Sequence, residues 1–265
     1  MLVLSLVFER NTIVNALKKG TVLSAACGIC NGATNYLVMV IIAAVASSVF
    51  FPVLSAGQLI ITFITFINPE GKGKRVLFVG NSITRHGIKH DIGWHNDWGM
   101  AASALEKDYV HIVAKEISHK DNEATFCVCQ AAEWECNWYD GENTFELFKA
   151  ARDFKADIIV MRLVENCLRD HYNSELFIKE YGKLVSYLNG SGKAEIIITT
   201  GFWKHIADGA IREYALKNEY TLVELNDLGE DDKMKAIGLF EHEGVANHPG
   251  DKGMAAIAER ILKTV

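Results

Sequence analysis

From residue 74 to the C-terminus, short apolar runs alternate with stretches of helical period. Val76-Leu77-Phe78-Val79 runs into Gly80-Asn81-Ser82, which predicts a buried parallel strand ending in a tight turn. Residues 124–129, 158–161, 196–199 and 221–225 predict four more strands. Residues 98–117, 144–154, 176–188, 206–217 and 253–263 carry apolar positions three and four apart and predict helices. Strands alternating with helices imply an α/β fold, a parallel sheet covered on both faces in a three-layer, flavodoxin-like arrangement. Function in such a sheet gathers where strands end, which singles out the Ser82 turn.

The pattern upstream is of another kind. Residues 20–69 contain no Asp, Glu, Lys, Arg or His. As one helix they would run about 75 Å, too long for a single crossing of a roughly 30 Å hydrocarbon layer and suited to two. The spans fall at about 21–44 and 49–67, with Ala46-Ser47-Ser48 and Pro52 at the turn. Gly28 and Gly32 lie four apart in the first span, a spacing that lets helices approach closely. Met1 to Phe8 is apolar but too short to span, and it lacks the basic start of a signal peptide. Lys18 and Lys19 precede the hairpin and Lys72, Lys74 and Arg75 follow it, so both flanks belong on the cytoplasmic side. Two domains are expected, a transmembrane segment over 1–70 and an α/β domain over 71–265. Residues 68–74, with Pro69, Gly71 and Gly73, would link them.

Charge narrows the partners. The net formal charge is −6, and the first 70 residues hold three basic and two acidic groups (+1), so the remainder carries −7. That balance argues against a nucleic-acid partner. Cys27 and Cys30 fall within the apolar stretch and read as small filler, while Cys127, Cys129, Cys136 and Cys167 lack metal-site spacing and read as free thiols. His86, His90 and His95 lie in a loop without a carboxylate at fixed spacing, so they are read as solvent-facing or substrate-lining, and no metal is expected. Trp94, Trp98, Trp134 and Trp138 could line a groove or pack the core, and Asp251 is expected to cap the last helix.

Ser82 is an ordinary alcohol until a base and an oxyanion site join it. Asn247-His248-Pro249-Gly250, ahead of the closing helix, offers the base. Gly80-Asn81-Ser82-Ile83 together with this His-Pro block resembles the SGNH (GDSL-like) hydrolase family, over about residues 74–265. The resemblance implies a serine esterase needing no cofactor, with Ser82 as nucleophile and His248 as base. It assigns the oxyanion donors to the Ser82 N–H, the Asn166 side chain and an N–H at Ala131.

The chain departs from the family at four places: Asn81 stands for Asp, Val164 for Gly, Gln130-Ala131-Ala132 holds no Gly, and Val245 stands where an acid lies three residues before the histidine. Glu243 is the nearby acid; a Ser-His dyad leaning on a backbone carbonyl is the alternative. Asn31-Gly32-Ala33-Thr34-Asn35-Tyr36 and Ser48-Val49-Phe50-Phe51-Pro52 resemble late helices of the drug/metabolite transporter superfamily, which implies a fragment retained as an anchor. The expectation is a membrane-held esterase with its catalytic domain on the cytoplasmic side, acting on a small acyl or acetyl ester, esters on carbohydrate included. A non-catalytic binding protein on a decayed hydrolase fold and a transporter remnant are the rival readings.

Overall fold

The computed structural model describes residues 64–265. The predicted membrane hairpin lies outside the described residues except for its last four positions, and those are not helical. Ile64–Ile67 is a strand, β1. Among the described residues no helix is long and apolar enough to cross a membrane.

Five further strands follow: β2 (Arg75–Gly80), β3 (Thr125–Gln130), β4 (Ile158–Arg162), β5 (Glu195–Thr199) and β6 (Thr221–Val223). The sheet order is β1-β3-β2-β4-β5-β6. All neighbours are parallel except β1, which runs antiparallel to β3 in the register Ile64↔Cys129 to Ile67↔Phe126. The five parallel strands keep the flavodoxin-like order, and β1 closes an edge that sequence left open. The order reverses between β2 and β4, the place beyond whose strand ends sheets of this kind gather their function.

The inner strands β2 to β5 are buried on both faces, which is why they read as largely apolar runs. Leu77, Val79, Ile159, Met161, Ile196 and Ile198 point into one core, and Val76, Phe78, Ile158, Val160 and Ile197 into the other. The second core is roofed by α1 (Tyr109–Lys120) and α7 (Asp251–Leu262), which pack together. The first is covered by α2 (Ala132–Cys136), α3 (Lys149–Asp153), α4 (Ser174–Leu188) and α5 (Asp208–Lys217). A further short helix, α6 (Glu243–Ala246), lies ahead of His248, where the sequence pattern predicts none.

Three expectations change here. The helix predicted over 98–117 begins only at Tyr109, because the buried Asp108 accepts from the His111 N–H at 2.8 Å and caps α1, while it also accepts from the Gly99 N–H at 3.1 Å. Ala101, at φ +74°, breaks any helix through that region. The helix expected over 144–154 is 3₁₀ up to Phe148 and α-helical only in α3. The linker expected over 68–74 is a fixed crossing past the start of β3: Asn68 Nδ2 donates to Ala124 O at 2.9 Å, and the Gly73 N–H to Glu123 O at 2.8 Å. A Cβ on Gly71 would collide with Glu123 O.

Candidate active site

Ser82 leaves β2 in a turn closed by Thr84 and Arg85, whose N–H groups both donate to Asn81 O. Gly80 permits the turn, since a Cβ there would strike the Thr84 side chain, which is itself bonded to the Tyr109 hydroxyl at 2.7 Å. The turn presents Ser82 Oγ 2.8 Å from His248 Nε2, across 166 residues of sequence. The His248 Nδ1–H donates to Gly244 O at 2.6 Å, which leaves the Nε2 lone pair toward the serine. The ring meets Trp203 edge to face, 5.5 Å between centroids. Burial pulls the imidazole pKa down to about 4, opposed by the Gly244 carbonyl.

Glu243 does not orient this histidine. It is exposed at the start of α6, and the helical turn places the carbonyl four residues before His248, that of Gly244, against Nδ1. The dyad with a backbone carbonyl is the arrangement observed.

Of the three N–H groups expected as oxyanion donors, one is spent within the fold. The Ser82 N–H has no acceptor among the described residues. Asn166 is exposed beyond β4, one N–H on Glu135 Oε2 at 2.6 Å and the other available. The Ala131 N–H is taken by Gly80 O at 2.6 Å, continuing the β2–β3 ladder, so Ala131 is not a donor.

Beneath the turn lies a buried polar cluster that sequence did not announce. Asn81 Nδ2 donates to Glu135 Oε1 (2.9 Å) and Glu165 Oε2 (2.6 Å), and its Oδ1 accepts from Arg162 Nη2 (2.6 Å) and the Ile83 N–H (3.2 Å). Arg162, fully buried, also forks onto Glu165 at 2.8 and 2.9 Å. An aspartate at position 81 could not donate to two carboxylates; the Asn amide can, which accounts for that departure. The available signal was Arg162 itself, a cation ending an apolar strand and therefore in need of a buried acid.

Among the other candidates, His86 lies close enough to His248 to add to the lowering of its pKa. Trp94, Trp134 and Trp138 are fully buried core residues, and Trp98 is half-buried with Nε1 bonded to Ala102 O. Trp203, not singled out in sequence, is the indole at the site. His86 Nδ1 pairs with Gly87 O, and His90 and His95 pair with each other through Nδ1 at 2.8 Å. Among the described residues no three His, Cys, Asp or Glu side chains are grouped to hold a metal. Asp251 does not cap α7; its carboxylate binds the Ser103 N–H and hydroxyl and the Lys107 ammonium, each at 2.8 Å.

No family profile and no curated protein matches this chain. Among solved structures it is similar to a psychrotrophic esterase from Pseudoalteromonas sp. (TM-score 0.49, 9% identity, 72% of this chain and 96% of that one). It is also similar to a family two carbohydrate esterase from Cellvibrio japonicus (0.47, 14%, 73% and 60%). A third likeness is to a carbohydrate esterase family 3 from Talaromyces cellulolyticus (0.48, 15%, 72% and 96%). The chain thus spans less than two thirds of the Cellvibrio enzyme.

Proposed function

We propose that this protein is a serine esterase of the SGNH type that hydrolyses a small acyl or acetyl ester, esters carried on carbohydrate among the candidates. The observation that carries the reading is the 2.8 Å contact between Ser82 Oγ and a His248 Nε2 whose opposite nitrogen is fixed on Gly244 O. In the reaction Oγ attacks the ester carbonyl and gives its proton to Nε2. The Ser82 N–H and the free N–H of Asn166 receive the oxyanion, and His248 returns the proton to the departing alcohol as the C–O bond breaks. Water, deprotonated by the same histidine, then hydrolyses the acyl-serine. The residues themselves supply this chemistry without a cofactor.

The test is hydrolysis of p-nitrophenyl acetate and butyrate by the full chain, with fluorophosphonate labelling mapped to its residue. Label on Ser82 and a fall of about 10³-fold or more in Ser82→Ala are expected. Unchanged turnover in Ser82→Ala would overturn the reading. One observation favours a rival, a binding protein on the same frame: the Ala131 N–H is spent on Gly80 O. Saturable ester binding without turnover would select that rival. Membrane attachment with the catalytic domain on the cytoplasmic side belongs to the proposal and rests on the uncharged sequence upstream of β1 and on the basic flanks at Lys18, Lys19, Lys72, Lys74 and Arg75. Protection of a C-terminal tag from protease in intact cells but not in opened ones is the result expected.

A further inference from the structure

Glu135 takes no part in the chemistry above, yet it is fully buried beside it. Its Oε1 accepts from Asn81 Nδ2 (2.9 Å) and the Val164 N–H (2.6 Å), and its Oε2 from Asn166 Nδ2 (2.6 Å). One carboxylate therefore grips the residue before Ser82 and both ends of the tripeptide that carries Asn166. Val164 has φ +154°, in the region that favours glycine, and its bond to Glu135 helps hold that backbone. All three partners are donors. A protonated carboxyl would have no acceptor among them for its hydrogen, and the pattern is complete only with the anion.

We propose that Glu135 is the positioning residue that aims the Asn166 amide at the oxyanion, and that it acts only as the carboxylate, so that its protonation switches the site off in acid. The proposal rests on the esterase reading. The groups facing Glu135 are Glu165 and Arg162 from β4 and the loop after it, Cys167 from that loop, Tyr181 from α4 and Cys136 on its own helix. Arg162 hydrogen-bonds to Glu165 and Asn81, so two carboxylates share one cation. Burial, then repulsion from Glu165, pushes the Glu135 pKa up against its three hydrogen bonds, while burial pulls His248 down to about 4. As pH falls, Glu135 takes its proton first.

The experiment compares wild type, Glu135→Gln, Asn166→Ala and the double variant on p-nitrophenyl acetate across pH, with melting curves to confirm folding. Glu135→Gln should lose kcat about 10- to 100-fold with KM within about threefold, because a misaimed oxyanion donor costs the transition state rather than the ground state. The double variant should be no slower than Asn166→Ala alone. The acid limb of kcat should lie well above pH 4 in wild type and drop toward the His248 value in Glu135→Gln. A wild-type kcat in Glu135→Gln, penalties that multiply, or an unmoved acid limb would overturn the proposal. If Glu135→Gln does not fold, the Asn166 side-chain amide of the wild type decides by NMR. One slowly exchanging, strongly deshielded N–H is expected, and an amide exchanging like any exposed asparagine would overturn the proposal. An active wild type beside an equally active Glu135→Gln removes this proposal alone. A wild type with neither turnover nor label on Ser82 removes the esterase reading and this proposal with it.

Discussion

At the residue scale, the carbonyl of Gly244 does the work that sequence comparison would give to an acid. Glu243→Ala should therefore leave kcat within about twofold, because the exposed Glu243 carboxylate makes no bond to His248. A drop of 10²-fold or more in steady-state rates would restore Glu243 as the orienting acid. The neutral histidine carries a second expectation. Its pKa is depressed to about 4 from an ordinary 6.5, so between those values the unfolded chain takes a proton that the folded chain refuses. Stability from this group is full above about 6.5 and is lost as pH falls toward 4. An NMR titration of the His248 ring should show a midpoint near 4, and a midpoint near 6.5 would mean that the ring is solvated rather than packed under Trp203. The meeting of Ser82 and His248 was legible in sequence because each sits in a short local motif. Glu135, Arg162 and Glu165 were not, because their meaning arises only when three strand ends meet. Ala131 misled for a related reason: whether an N–H is free depends on the neighbouring strand.

At the scale of elements, the inner strands were readable because burial on both faces leaves runs of three or four consecutive apolar residues with little else to be. Helix limits were less so, since Asp108 and Ala101 decide the start of α1 by tertiary bonds and backbone conformation that periodicity does not register. Gly253 shows the same conflict inside α7. By propensity, Gly253→Ala in a helix should gain about 1 kcal/mol. Here the added Cβ would meet the backbone oxygen of Met234, which cannot swing away as a side chain would. That segment continues into Lys235, paired with Pro249, and Ala236, whose N–H binds His248 O at 2.9 Å. Gly253→Ala is therefore expected to lower the melting temperature, by about 1–3 kcal/mol of overpacking, and to slow turnover by displacing the histidine loop. A raised melting temperature would show that the contact relaxes at no cost.

At the scale of the molecule, the unexpected feature is the edge strand. The apolar residues before Asn68 looked like the end of a membrane span because hydropathy alone does not distinguish a lipid-facing segment from a strand packed between two cores. β1 resolves this locally: Ile64 packs on one core, Ile67 on the other, and Phe66 lies 5.8 Å from the Phe154 ring. The sheet thus needs residues that a boundary at 71 would discard. A chain starting at Lys74 would bare the part of the β3 edge that β1 covers, Phe126 to Cys129, four residues of ladder groups with buried apolar side chains, an open template for pairing with another copy. It would also lose two half-buried isoleucines, about 3 kcal/mol together, which for a domain of this size corresponds to a melting temperature lower by about 6–12 °C. Chains starting at Ile60 and at Lys74, purified in parallel, should differ in that sense, the shorter one also associating as concentration rises. Equal melting temperatures and a monomeric shorter chain would show that β1 contributes nothing to the sheet. Activity in the Ile60 chain alone would tie the serine turn, which hangs from β2 on the far side of β3, to an edge away from the chemistry.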